Sequence, residues 1–168
     1  PKDYLTFCKE EADWLDNYAL FMALKDANGG AAWFTWEDDL KFRKEEALEK
    51  VKKEKADEID FWKMIQYLFY KQWWELKDYA NENGIKIIGD VPIYVAGDSA
   101  DVWANPEQFY LDEERNMIDV AGCPPDAFSE DGQLWGNPLF RWDVMKADGY
   151  TWWTKRIQAM SKLYDVVR

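Results

Sequence analysis

The 168-residue sequence predicts an α/β fold, and three observations carry the prediction. Apolar residues recur at three- and four-residue steps through long stretches, the period of amphipathic helices. A glycine turn then leads straight into Ile85-Lys86-Ile87-Ile88-Gly89, a short β-branched run that reads as a strand covered on both faces, as in a parallel sheet. After another helical stretch, Leu163-Tyr164-Asp165-Val166-Val167-Arg168 begins a second strand of the same kind, completing the alternation of helix and buried strand that defines α/β architectures.

Taken in order, Trp14, Tyr18 and Phe21 stand at helical spacing beside Leu15 and Met22, which predicts one amphipathic helix between Tyr4 and Lys25, stopped by Gly29-Gly30. Trp33-Phe34-Thr35-Trp36 reads as a connecting loop. Asp38-Asp39 can cap a new helix through Lys41–Lys55, where nearly every position is charged and the face is solvated. Ile59, Trp62, Ile65, Phe69, Trp73, Leu76 and Ala80 then form an apolar stripe that calls for a large packing partner, until Asn83-Gly84 ends the helix. The strand at Ile85–Gly89 is extended by Val91, Ile93, Tyr94 and Val95.

Asp98-Ser99 can cap a short helical turn through Val102-Trp103, closed by Asn105-Pro106. Phe109-Tyr110-Leu111 and Met117-Ile118-Asp119-Val120, around a polar turn at Asp112–Asn116, read as a β-hairpin. From Gly122 to Pro138 no periodicity survives, and Pro124, Pro125, Pro138, Gly122, Gly132 and Gly136 punctuate the run, so a long structured loop is predicted. Phe128, Leu134 and Trp135 are too apolar for a solvated linker, which makes it a binding loop. Tyr150, Trp153, Ile157 and Met160 mark a last amphipathic helix.

Composition removes several functions. A net charge of −12, from 21 Lys and Arg against 33 Asp and Glu, argues against nucleic acid or an anionic membrane as partner. The absence of histidine eliminates Ser-His and Cys-His mechanisms and leaves acid–base chemistry to carboxylates. Cys8 and Cys123 are too far apart for a metal-ligand spacing and read as free thiols of a reducing compartment. No stretch approaches the roughly 18 apolar residues of a membrane span, and the start, Pro1-Lys2-Asp3-Tyr4, shows neither an initiator Met nor a signal-peptide pattern, which suggests an excised segment. The 11 Trp, 9 Tyr and 9 Phe suit a bulky core and equally suit stacking against sugar rings.

In α/β architectures ligand-facing groups collect at the carboxyl ends of strands. Asp90 sits at such an end, between Gly89 and Pro92, where it either accepts hydrogen bonds from ligand hydroxyls or serves as a turn-former. Gln133, Trp135 and Asn137 lie in one glycine-bracketed run that pairs amides with a flat ring, a combination suited to a carbohydrate and equally to a Trp that plugs a local core. Neither GxGxxG nor GxxxxGK[ST] occurs, so no phosphate-cradling loop is present.

Several ordered segments resemble one family. Ile87-Ile88-Gly89-Asp90-Val91-Pro92-Ile93-Tyr94-Val95 and Asp98-Ser99-Ala100-Asp101-Val102-Trp103-Ala104-Asn105-Pro106 are similar to the third-strand region of the amylomaltase, or disproportionating enzyme, family of 4-α-glucanotransferases (glycoside hydrolase family 77). Val120–Asp126, Phe128-Ser129-Glu130, Gly132-Gln133 and Trp135-Gly136-Asn137-Pro138-Leu139 resemble its substrate loop in order and spacing. Trp142-Asp143, Gly149-Tyr150, Trp153, the earlier Tyr18–Lys25 and Gln72-Trp73 extend the likeness to essentially the whole chain.

The resemblance implies a (β/α)8 TIM barrel, of which this chain would be an internal fragment with helical segments, a small β-hairpin and a long substrate loop. Residues 1–84 would be a helical segment (an insertion and a barrel helix). Residues 85–168 would carry barrel strand 3, the substrate loop, the following helix and the start of strand 4, all within one catalytic domain. It implies retaining transfer of α-1,4-glucan segments between maltooligosaccharides, through a carboxylate nucleophile and a carboxylic acid–base partner. Asp90 would contact glucose hydroxyls beside the cleavage point, and Gln133 and Trp135 would line the acceptor and donor sites. Asp126, Phe128, Ser129 and Glu130 would border the cleft, with Phe128 guiding the glucan chain and Asn137 completing the substrate-binding set.

Two departures stand out. Ala127 occupies a position that the family usually gives to tyrosine, which weakens the expected grip on long or curved glucans. Arg168 resembles the arginine that supports the nucleophile, and the nucleophilic Asp is expected two residues beyond it, so no catalytic residue is expected in the chain and Arg168 would have nothing to support. No cofactor or metal is expected, α-1,4-glucans and maltooligosaccharides are the expected partners, and the location is expected to be cytoplasmic. The uncovered strand edges predict self-association. A free-standing, non-catalytic glucan-binding module is the alternative reading.

Overall fold

The computed structural model describes residues 2–168. Where one helix is predicted between Tyr4 and Lys25, the chain forms two, α1 (Lys2–Glu10) and α2 (Ala12–Ala27). The break falls at Glu11, whose buried carboxylate accepts from Trp14 Nε1 at 2.7 Å and from Lys162 Nζ at 2.6 Å. A partner 151 residues away along the chain is invisible to local periodicity. The glycine stop holds: Gly29 and Gly30 take positive φ, and the Gly30 N–H returns to the Lys25 carbonyl at 2.8 Å.

Trp33–Thr35 is not an open loop but a 3-10 turn, with Trp33 and Trp36 buried in the core. The predicted charged helix is also divided, into α3 (Asp38–Lys41) and α4 (Glu45–Glu54), and a further break at Lys55 precedes α5 (Ala56–Glu82). Arg43, between α3 and α4, adopts a left-handed φ of 56° and lays its guanidinium 4.1 Å over the Trp103 ring while donating to Asn17 Oδ1 at 2.7 Å. The face is therefore only partly solvated, since Arg43 is half-buried and Leu48 is buried.

On α5 the buried residue is Tyr70, which meets Phe7 and Trp14. The predicted stripe is split: Trp62 and Trp73 are half-buried, whereas Ile65, Phe69 and Leu76 remain exposed, Phe69 meeting the Tyr70 and Trp73 rings of its own helix. At its end Gly84 takes φ 75° and the Ile85 N–H returns to the Ala80 carbonyl.

β1 (Ile88–Gly89) and β4 (Val166–Val167) pair in parallel, Ile88 opposite Val166 and Gly89 opposite Val167. The predicted two-sided burial is not realised, because Ile88 is 70% and Val166 47% exposed: no further strand flanks the pair among the described residues. Asp165 clasps the two strand segments, its Oδ2 accepting from the Ile87 N–H at 2.8 Å and from Asn81 Nδ2 at 2.9 Å. The connection between β1 and β4 holds α6 (Ala100–Ala104), the antiparallel strands β2 (Val120–Cys123) and β3 (Gln133–Pro138), α7 (Trp142–Ala147) and α8 (Thr151–Leu163).

Ser99 is the N-cap of α6, as predicted. The hairpin predicted around Asp112–Asn116 reduces to one bridge between Leu111 and Met117, and Val120 pairs instead with Pro138. The predicted long loop from Gly122 to Pro138 is in fact the β2–β3 arm. Its strands carry no alternation signal in the sequence because glycine and proline interrupt it, and a register shift between Val120 and Gly122 breaks it further.

One core joins the first and last parts of the chain: Phe21, Leu24, Trp33, Trp36, Trp103, Phe109, Phe140 and Met145 pack together. A second cluster, Phe7, Leu15, Tyr70 and Leu163, fastens α1 and α5 to α8.

Candidate functional site

The site is built outward from the end of β1. Gly89 is fixed there by close approach, because a Cβ would lie 2.1 Å from the Tyr164 ring. Asp90 follows immediately and forms a two-pronged pair with Arg168, Nη2 to Oδ2 at 2.7 Å and Nε to Oδ1 at 3.3 Å. The guanidinium holds the Asp90 carboxyl below the usual carboxylate range and Asp90 raises Arg168 in turn. Arg168 therefore does have a carboxylate to support, contrary to the expectation from sequence; it is the strand-end acid of the neighbouring strand.

The tip of the β2–β3 arm is held by its own hydrogen bonds. Asp126 Oδ1 accepts from the backbone N–H groups of Phe128 and Ser129, both at 2.9 Å, and Ser129 Oγ donates to the Gly132 carbonyl at 2.7 Å. Asp126 and Ser129 thus shape the loop, an Asx-type turn. Gly132 has φ 73°, and a Cβ there would lie 2.5 Å from the Cys123 carbonyl oxygen. Phe128, at 96% exposure, and the exposed Glu130 project without partners in the described residues. On β3, Trp135 Nε1 donates to Gln133 Oε1 at 2.9 Å, which ties an amide and an exposed indole into one unit.

Asn137 has a tethering role: its Nδ2 donates to the Val95 carbonyl at 2.8 Å. Next to it Tyr94 lies 6.2 Å from the Trp135 ring and stacks on Phe140 at 5.9 Å. The segment leaving β1 is thereby docked on β3, and Asp90, Gln133 and Trp135 belong to one continuous framework. Tyr94, predicted as part of an extended strand, lies outside β1 and meets Trp135 instead; nothing in its spacing marks it as that contact. Asp98, expected as a cap, instead pairs with Lys25 at 2.6 Å and accepts from the Trp33 N–H at 3.2 Å.

Asp90, Gln133 and Trp135 are each exposed. Two hollows, of 260 and 460 Å3, lie elsewhere, and neither is lined by Asp90, Gln133 or Trp135. Among the described residues no cluster of acidic or sulfur side chains could hold a metal ion, and no helix is long and apolar enough to cross a membrane.

A parallel strand pair with an acid at the strand end, joined to an antiparallel arm that carries an amide–indole unit, defines an α/β chain. The chain belongs to the 4-alpha-glucanotransferase family: the profile of that family, glycoside hydrolase family 77, matches residues 1–168. It is 49% identical over 168 residues to the 4-alpha-glucanotransferase of Clostridium butyricum, covering 99% of this chain and 34% of that protein. It is 51% identical over 165 residues to the Thermus thermophilus 4-alpha-glucanotransferase, covering 98% and 33%.

Among solved structures, an amylomaltase from Streptococcus agalactiae in complex with acarbose superimposes with a TM-score of 0.93 at 46% identity, over 98% of this chain and 33% of that one. An amylomaltase from Corynebacterium glutamicum, at 20% identity and TM-score 0.62 over 89% of this chain and 18% of its own, shares the fold. The chain thus spans about a third of the length of the curated relatives it matches.

Proposed function

We propose that this chain supplies the glucan-gripping part of a retaining 4-α-glucanotransferase built as a (β/α)8 barrel, β1 and β4 being two of its strands. In this reading Asp90 accepts hydrogen bonds from glucose hydroxyls, Trp135 stacks against a pyranose face with Gln133 beside it, and Phe128 guides the glucan at the arm's tip. Glu130 borders the same path, while Asp126, Ser129 and Asn137 act through the shape they impose on the arm. The nucleophile and the acid–base group reside outside these 168 residues. The observation that supports the reading is the docking of Tyr94 and Val95 on β3, which ties the segment that follows the strand-end acid to the strand that carries the amide–indole pair.

Titration of the chain with maltotriose, followed through the Trp135 indole N–H signal, tests this. A saturable shift that Gln133→Ala weakens is expected; a signal that stays still at saturating sugar refutes the reading. Because enzymes as a whole lower barriers by about 8 kcal/mol or more and a retaining mechanism runs through its nucleophile, a chain without that group is expected to release no glucose from maltotriose. Glucose and longer maltooligosaccharides appearing from the chain alone would overturn that part.

A further inference from the structure

The smaller hollow, 260 Å3, opens between the Trp33–Thr35 turn, α6 and the bridge that joins Leu111 to Met117. Its walls are apolar, formed by Trp33, Phe34, Val102 and Met117. An apolar cavity of about 150 Å3 is enough to take up benzene, so there is room here for a single ring.

Most polar groups on the lining are already spent. The Trp33 indole N–H donates to the Gly97 carbonyl at 2.8 Å, and Asn116 Nδ2 donates to Asp112 Oδ2 at 3.0 Å. Among the described residues no carboxylate lines the hollow: Asp112 is engaged by Asn116, and Glu114 pairs with Lys41 at 3.7 Å. Arg115 is different. It is the one charged residue on the lining, its side chain forms no ion pair or hydrogen bond among the described residues, and its Nε is buried without a partner. The guanidinium carbon lies 5.6 Å from the centre of the Phe42 ring, whose face helps to hold it in place.

A buried guanidinium nitrogen without an acceptor is costly, and a carboxylate answers it well because its two oxygens match the planar fork. The apolar walls disfavour a ligand that is polar throughout. Arg115 also takes a left-handed φ of 67°, which a residue with a side chain adopts at a cost and glycine adopts freely. Strain of this kind gathers at ligand sites.

We infer that this hollow binds a small carboxylate carried on one apolar ring or branched chain, with Arg115 pairing the carboxylate and Trp33 and Met117 packing against the body. The site lies at the root of the β2–β3 arm, since Val120, also on the lining, opens β2 and pairs with Pro138. The inference goes beyond the glucan reading above and does not depend on it.

Benzoate is the probe. Titrated into the chain, it should shift the Trp33 indole N–H signal along a saturation curve. Benzamide, an uncharged molecule of the same shape, should bind at least about tenfold more weakly, the loss of a hydrogen bond between charged groups. Arg115→Gly removes the guanidinium where glycine suits the backbone, so this variant should keep a thermal midpoint close to that of the parent chain while losing benzoate saturation. A Trp33 signal unmoved by benzoate overturns the inference, as does a benzoate curve that Arg115→Gly leaves unchanged. Benzamide binding as tightly as benzoate overturns it too, because the charge would then go unread. Inorganic phosphate producing the same curve as benzoate also overturns it, because the apolar walls would then contribute nothing. Should Arg115→Gly fail to fold, the comparison of benzoate with benzamide on the unaltered chain decides.

Discussion

Arg168 holds Asp90 with two of its guanidinium nitrogens, at 2.7 and 3.3 Å, and so links the carboxyl ends of the parallel strands β1 and β4. The Arg168 N–H also donates to the Gly89 carbonyl at 2.9 Å, so side chain and backbone brace the same junction.

This junction is expected to be acid-labile. Asp90 is held below the usual carboxylate range first by the Arg168 hydrogen bond, and Asp165 is lowered by the Ile87 N–H and then by Asn81. A group whose folded pKa is depressed contributes stability above its unfolded pKa and loses it as pH falls through the folded value. The clasp should therefore be complete at neutral pH and released only below the ordinary carboxylate range. Exchange protection of the Arg168 and Val91 amides, followed as pH is lowered, reads this; protection unchanged into strong acid contradicts it.

The arm depends on Gly132, where φ is 73° and a Cβ would meet the Cys123 carbonyl oxygen at 2.5 Å. Gly132→Ala is expected to cost about 1–3 kcal/mol locally. Amide exchange in β2 and β3 should accelerate and maltotriose affinity at Trp135 should fall, while the thermal transition of the main core is retained. Unaltered exchange in the arm would show that the turn adapts without strain.

Phe128 and Trp103 should separate ligand contact from stability. Phe128 is 96% exposed, so Phe128→Ala should change unfolding free energy by less than about 0.5 kcal/mol while weakening binding of longer maltooligosaccharides. Trp103 is fully buried and donates its indole N–H to the Leu40 carbonyl at 3.0 Å. Trp103→Ala should cost about 3–5 kcal/mol, a large share of the 5–15 kcal/mol typical of a domain. Chemical denaturation compares the two, and a large stability loss in the Phe128 variant would reverse their assignment.

Self-association is expected through apolar surface left open on α5 and beside β1. Phe69 and Leu76 are 51% and 54% exposed, Ile88 and Val166 70% and 47%. Light scattering should find oligomers that the double variant Phe69→Lys, Leu76→Lys reduces. A monomer that unfolds cooperatively would mean that this surface is tolerated in water.

What the sequence determined by itself was local or cumulative. Helix stops at Gly29-Gly30 and Asn83-Gly84 were legible because positive φ is nearly a glycine property, and the Ser99 cap because a hydroxyl before a helix answers a free N–H. Many ordered motif matches were enough to point to the family. Breaks at Glu11 and Arg43 were not legible, since each coincides with contacts to residues distant in sequence: Lys162 for one, Asn17 and Trp103 for the other. The β2–β3 arm was hidden because glycine, proline and a register shift erase the two-residue alternation. Asp90 and Trp135 could be nominated from sequence as candidates. That Arg168 would take the Asp90 carboxylate, and that Tyr94 would join the β1 exit to Trp135, was decided only by tertiary structure, because each is a meeting of side chains across segments that no local pattern encodes.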